Sequence, residues 1–236
     1  MEKNPKHLPF WEHLEELRGR IIRSIIAIVI ASCFFYPYVG RVIPLLLKPI
    51  GRLVFTSPGE ALVANLALTL LGGFLLASPF LLYQVWQFAG EGLKETERKY
   101  IFFYGPFSFA LFILGVIFAY VFILPITLKF FLSYASDMVV PMITVSQYIS
   151  FVATLCVSFG MVFELPLVIV FLTRIGVVTP EFLRQKRKHA IVAIFVISAF
   201  LTPPDYVSQF LMAIPMLGLY EIGVIFSKMV YRPLPN

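Results

Sequence analysis

Residues 138–173 read MVVPMITVSQYISFVATLCVSFGMVFELPLVIVFLT, and this stretch decides the class of the protein. Asp137 and Arg174 bound it, and the one charge inside it is Glu164. A crossing of the hydrocarbon layer takes about 20 apolar residues, so the stretch is long enough to span a bilayer. A carboxylate within a span costs about 2.5–3.5 kcal/mol on insertion scales, and such groups face a cavity or a partner. At about 1.5 Å per residue, Glu164, eight residues before the span ends at Leu172, lies about 12 Å deep from that end. Pro166 has no N–H to give the Val162 carbonyl, which leaves a second polar group beside the acid. Three readings stand: a buried acid satisfied by neighbouring Ser, Thr or Tyr, a polar contact for a partner helix, or a proton-relay site.

The rest of the composition agrees with lipid as the solvent. Of 236 residues, 59% are hydrophobic and 14% charged, with mean hydropathy +0.88. Globular domains carry about 25% charged residues. The net charge of +6 sits in short caps between apolar runs, which fits anionic headgroups better than nucleic acid. Cys33 and Cys156 each lie inside an apolar run, so no disulfide is expected, and His7, His13 and His189 form no metal-binding spacing. No cleavable signal peptide is expected, because Glu2, Glu12, Glu15 and Glu16 precede the first apolar run.

Charges bracket the apolar runs and give six expected spans, at about 24–40, 66–88, 101–125, 148–172, 189–201 and 206–220. The last two are short, reaching only about 20 Å as helices. They meet at Thr202-Pro203-Pro204-Asp205, a turn that helices avoid. A hairpin crossing a thinned bilayer and a re-entrant hairpin both satisfy this pattern. Fifteen Lys and Arg fall on one side of the six-span arrangement and four on the other, which places both termini in the cytoplasm. Pro79, Pro106, Pro166 and Pro215 fall within spans and are expected to kink them. The expectation is an all-α integral membrane protein, one polytopic domain over residues 1–236, with a concave body.

Two charged segments outside the spans carry the remaining chemistry. Glu12 and Glu16 share a helical face, and Glu16–Arg20 and Glu15–Arg18 have the spacing of surface pairs worth about 0.3–0.5 kcal/mol each. Arg20 and Arg23 can snorkel from the first span. The first cytoplasmic loop, Gln87 to Lys99, holds Glu91, Glu95 and Glu97 beside a basic exit. It reads either as a solvated loop with topogenic charge or as a docking site for a cation. Guanidinium matches carboxylate in a bidentate way, so an arginine-rich ligand would be favoured over a lysine-rich one. Gln84, Gln87 and Gln209 are weaker intramembrane polar groups of the Glu164 kind.

These pieces resemble the TatC family, the polytopic core of the bacterial twin-arginine protein translocase. His13-Leu14-Glu15-Glu16-Leu17-Arg18 resembles its N-terminal HLxELR motif. Leu82-Tyr83-Gln84-Val85-Trp86-Gln87-Phe88 and Glu97-Arg98 resemble its first cytoplasmic loop. Phe163-Glu164-Leu165-Pro166 resembles its intramembrane FExP motif, and Leu201 to Asp205 with Ala213-Ile214-Pro215-Met216 resembles its last hairpin.

The resemblance implies that Glu16 and Glu97 bind the paired arginines of signal peptides, with Phe88, His13, Leu14 and Arg18 around them. It implies that Glu164, with Gln209 and Gln84, meets single-span TatA/TatB-type partner subunits, and that Pro203, Pro204 and Asp205 form a periplasmic turn. It further implies an oligomeric translocase complex in the bacterial inner membrane, driven by the proton-motive force, with no nucleotide or other cofactor and no enzymatic activity. Gly90-Glu91-Gly92 stands where the family often has proline after the loop aromatic, so Glu91 could add a third carboxylate. The rival readings are a proton-coupled small-molecule transporter with Glu164 as relay acid and a non-catalytic assembly scaffold. No internal repeat supports the first.

Overall fold

The first apolar run forms α1, Phe10–Phe35. Pro37 then tightens the chain into a 3-10 turn, Tyr36–Tyr38, before α2, Val39–Leu47. A proline ring removes one backbone donor and crowds the carbonyl four residues back, and the tighter turn accommodates both. This is a computed structural model, and it describes residues 10–47, 53–54, 56–91, 101–134, 142–201 and 206–231. The second run lies in α3, Pro58–Glu91, which opens with proline at its first position, where no N–H is needed.

The third run forms α4, Ile101–Phe118, a π turn, Ala119–Ile123, and α5, Leu124–Leu132. Helix therefore continues past the expected end at Pro125. The widened turn answers the missing Pro125 donor, and the Leu124 N–H reaches back to the Ala119 carbonyl.

The stretch around Glu164 becomes two helices, α6, Val145–Val162, and α7, Leu165–Arg174. The break falls where Pro166 cannot serve the Val162 carbonyl. Pro79, Pro106 and Pro215, by contrast, sit inside continuous helices. Gly176, at φ +77°, ends α7 in the left-handed conformation. Its N–H bonds the Thr173 carbonyl at 3.1 Å and the Val177 N–H bonds the Leu172 carbonyl at 3.0 Å, a paired closure that suits glycine.

Short α8, Pro180–Gln185, leads into α9, Arg187–Leu201, and α10, Tyr206–Val230. The last apolar run ends before Glu221, but its helix is 25 residues long and continues to Val230. Glu221 does not stop it, because its carboxylate takes a 2.7 Å hydrogen bond from Arg187. Among the described residues, five helical segments are long and apolar enough to cross a membrane: 14–47, 58–90, 104–132, 145–174 and 206–230. At 15 residues α9 is shorter than these. Phe34, Phe200 and Met229 are among many large apolar side chains left exposed, which lipid accounts for and water does not. Among the described residues, β structure is one isolated parallel bridge, Val54 to Thr144.

The chain divides into two compact units, residues 1–41 with 69–109 and residues 42–68 with 110–236. In the first, α1 and α3 cross at small residues. A Cβ on Gly73 would come 2.7 Å from the Ser32 backbone, so the crossing depends on its absence. In the second, α4 meets α6 at Gly115, where a Cβ would reach 2.5 Å from the Phe159 carbonyl oxygen. Phe112, Tyr148, Phe159, Leu124, Met212 and Met216 are fully buried there. Gly223 of α10 lets that helix close on Pro166 and Ile169 of α7.

Candidate functional site

Glu16 and Arg20 stand one turn apart on α1, and their side chains meet. Arg20 Nε donates to Glu16 Oε1 at 2.9 Å, and Nη2 donates to the same oxygen. The other end of the guanidinium turns to α3, where Nη1 donates to the Gln84 Oε1 at 3.1 Å and the Gln87 Oε1 at 3.0 Å. Gln84 and Gln87 share a helical face at i, i+3 spacing, so both carbonyl dipoles point at one cation. The Arg20 side chain is 9% exposed and that of Glu16 26%.

This corrects two expectations. Arg20 does not snorkel, and its pair with Glu16 is part-buried and braced by amides, not a solvated surface pair. The Gln84 carbonyl is one of those amides. Leu14, Glu15 and Arg18 are exposed around the pair. His13 lies in α1. Phe88 is half-buried one turn beyond Gln84. Nearby, buried Trp86 stacks on Tyr104 with ring centroids 5.0 Å apart, which fixes the end of α3 against the start of α4. Glu95, Glu97 and Arg98 lie outside the described residues, as do Pro203, Pro204 and Asp205.

Glu164 occupies the N-cap position of α7, in the break that Pro166 creates. Its Oε1 is fully buried. The neighbouring Phe163 packs its ring 5.4 Å from that of Phe118, and Phe159 lies 5.8 Å from the same ring, so the acid emerges from an aromatic cluster. Gln209 of α10 donates to the Phe195 carbonyl of α9 at 3.0 Å, and Phe195 and Phe210 meet edge to face at 5.2 Å. Both contacts link α9 to α10.

One acid went unassigned in the sequence. Glu60, 8% exposed, accepts from the Thr56 N–H at 2.8 Å and its hydroxyl at 2.9 Å through Oε2. Through Oε1 it accepts from the Ser146 N–H at 3.4 Å and its hydroxyl at 3.2 Å. Ser146 lies in the first turn of α6, so the carboxylate caps that helix from α3 and meets the positive end of its dipole. Tyr148 adds a 2.7 Å hydrogen bond from its hydroxyl to the Leu46 carbonyl at the end of α2. Ser57-Pro58-Gly59-Glu60 has the spacing of a capping box with proline at N1, but the carboxylate bonds the Thr56 N–H, one residue before the box would place it.

The sequence profile of the Sec-independent protein translocase protein TatC matches residues 12–215. The chain belongs to the TatC family. It is 42% identical to the TatC of Carboxydothermus hydrogenoformans over 98% of this chain and 96% of that one. It is 41% identical to the TatC of Aquifex aeolicus over 95% and 97%, and 36% identical to TatCd of Bacillus subtilis over 98% and 96%. A crystal structure of the twin-arginine translocase receptor TatC superposes with TM-score 0.84 at 41% identity, covering 93% of this chain and 100% of that one. A second crystal structure of that receptor, in the detergent DDM, gives 0.82 at 42% identity over 90% and 98%. TatC is a protein-transport family and not an enzyme family. The chain is a multi-pass membrane protein.

Proposed function

We propose that this chain is the signal-peptide receptor and scaffold of a twin-arginine translocase in the bacterial cytoplasmic membrane, with both termini cytoplasmic. The observation that carries the reading is Glu16, an acid held by Arg20 on one oxygen while its side chain stays 26% exposed. Its second oxygen takes no hydrogen bond among the described residues, so it is an acceptor in waiting. Glu16 and Glu97 each pair with one arginine of the signal, and Phe88, His13, Leu14 and Arg18 flank them. Gln84 belongs to this docking end, through Arg20. Glu164 and Gln209 serve the single-span TatA/TatB-type partners. The proton-motive force drives the transport of folded cargo, and the receptor works as an oligomer within the translocase complex.

The test is binding of a twin-arginine signal peptide and its Lys-Lys counterpart to the purified chain in nanodiscs. A charge-assisted hydrogen bond contributes about 1.5–3 kcal/mol, so Glu16→Ala and Glu97→Ala should each weaken the Arg-Arg peptide by about tenfold or more. Equal, weak binding of both peptides by the parent chain would sink the receptor reading and turn attention to solute uptake in vesicles.

A further inference from the structure

We propose that Arg20 sets the selectivity of Glu16, acting as a built-in counter-ion that turns the carboxylate from a bare anion into a directed hydrogen-bond acceptor. This rests on the signal-peptide reading of Glu16. Its basis is the asymmetry of the cluster. Two donors of Arg20 converge on Glu16 Oε1, and a third nitrogen is anchored on Gln84 and Gln87 of α3. The guanidinium is held at both ends and nearly buried, whereas the acid it holds is partly open. A ligand therefore meets Glu16 with its carboxylate already held by Arg20 and one oxygen that takes no hydrogen bond among the described residues.

Charge and geometry then separate the two kinds of cation. The positive charge of Arg20 lies in hydrogen-bond contact with the carboxylate and cancels much of its field at the ligand position. A lysine ammonium is a compact, strongly hydrated point charge that gains chiefly from that field. A guanidinium is more weakly hydrated and binds through a planar fork, so it keeps the directional part of its gain at the open oxygen. Arg20 thus penalises a Lys ligand more than an Arg ligand, and selectivity arises from a repulsive element as well as an attractive one. Arg20 is a positioning residue here, since it acts on the signal through Glu16.

The experiment compares Arg-Arg and Lys-Lys signal peptides on the full chain in nanodiscs, with parent, Arg20→Gln and Arg20→Lys, at low and high salt. In Arg20→Gln the ratio of Arg-Arg to Lys-Lys affinity is expected to fall by about fivefold, the scale of a partly exposed ion pair, and Lys-Lys binding should become more salt-sensitive. Arg20→Lys keeps the charge and should keep the Lys-Lys peptide weak. An unchanged ratio in Arg20→Gln, with both peptides weakened alike, would reduce Arg20 to a prop and overturn the proposal. So would an equal gain of Lys-Lys affinity in both variants. If Arg20→Gln fails to fold, Gln87→Leu replaces it. That change loosens one anchor of Arg20, and an unaltered ratio there also overturns the idea. A parent chain with no Arg-Arg preference would instead defeat the receptor reading itself.

Discussion

Glu16 and Glu60 are both carboxylates near the ends of long apolar helices, and the structure uses them in opposite ways. Glu60 is saturated: two N–H groups and two hydroxyls, from Thr56 and Ser146, occupy both of its oxygens. Glu16 receives both Arg20 bonds on a single oxygen and leaves the other without a described partner. A saturated acid has nothing left to offer a ligand and serves to join elements. A half-used acid keeps a strong acceptor for another molecule. The contrast separates a structural carboxylate from a recognition carboxylate without reference to where either lies in the sequence.

The sharpest way to break the comparison is Glu60→Gln. The change is nearly isosteric, but it places an NH2 group against donors that require an acceptor, at the first turn of α6 and at Thr56. Its loss of thermal stability should exceed that of Gly73→Ala or Gln209→Leu. Twin-arginine peptide binding per folded molecule should be retained. Unfolding midpoints read beside peptide titrations on the same nanodisc samples check this. A Glu60→Gln chain that is stable but no longer binds peptide would mean that the distinction between the two acids has been drawn in the wrong place.

Gly73→Ala addresses the other acid indirectly. The added Cβ would stand 2.7 Å from the Ser32 backbone, so α1 or α3 must shift. Overpacking of this kind costs about 1–3 kcal/mol. The shift moves Arg20 relative to Gln84 and Gln87, so a moderate loss of stability should come with a several-fold loss of Arg-Arg peptide affinity. Loss of stability with unchanged affinity would show that Glu16 does not depend on its α3 supports.

These two acids also mark how far the sequence could be read. Apolar runs bracketed by charge located the long helices, because burial in lipid is decided residue by residue. Charges mark the edge of the apolar layer and not the end of a helix, so α10 passing Glu221 to Val230 was hidden. Pro166 falls at a break between two helices, while Pro79, Pro106 and Pro215 lie within continuous ones, a difference the shared residue type does not announce. Glu16 was legible as a motif residue and its i, i+4 partner as a spacing. The acceptors on Gln84 and Gln87 were not, because they lie more than 60 residues away along the chain. The bonds from Thr56 to Glu60 are local, but those from Ser146 required the fold.

The smallest expected effect belongs to Gln209→Leu, and its smallness tests the division most finely. Gln209 gives one neutral hydrogen bond to the Phe195 carbonyl and touches neither acid. Such bonds between membrane helices average about 0.6 kcal/mol, because the separated helices find other partners. Leucine fills most of the same volume and restores apolar contact beside Phe195 and Phe210. The α9–α10 hairpin should therefore loosen only slightly, with peptide affinity and its Arg-over-Lys preference unchanged. If Gln209 also serves the partner subunits, transport should fall while both of those readouts hold. That result would place a second recognition surface on the hairpin, one built from a neutral amide where the docking end relies on a braced carboxylate. An unchanged rate of transport would leave Gln209 as a tie between two helices.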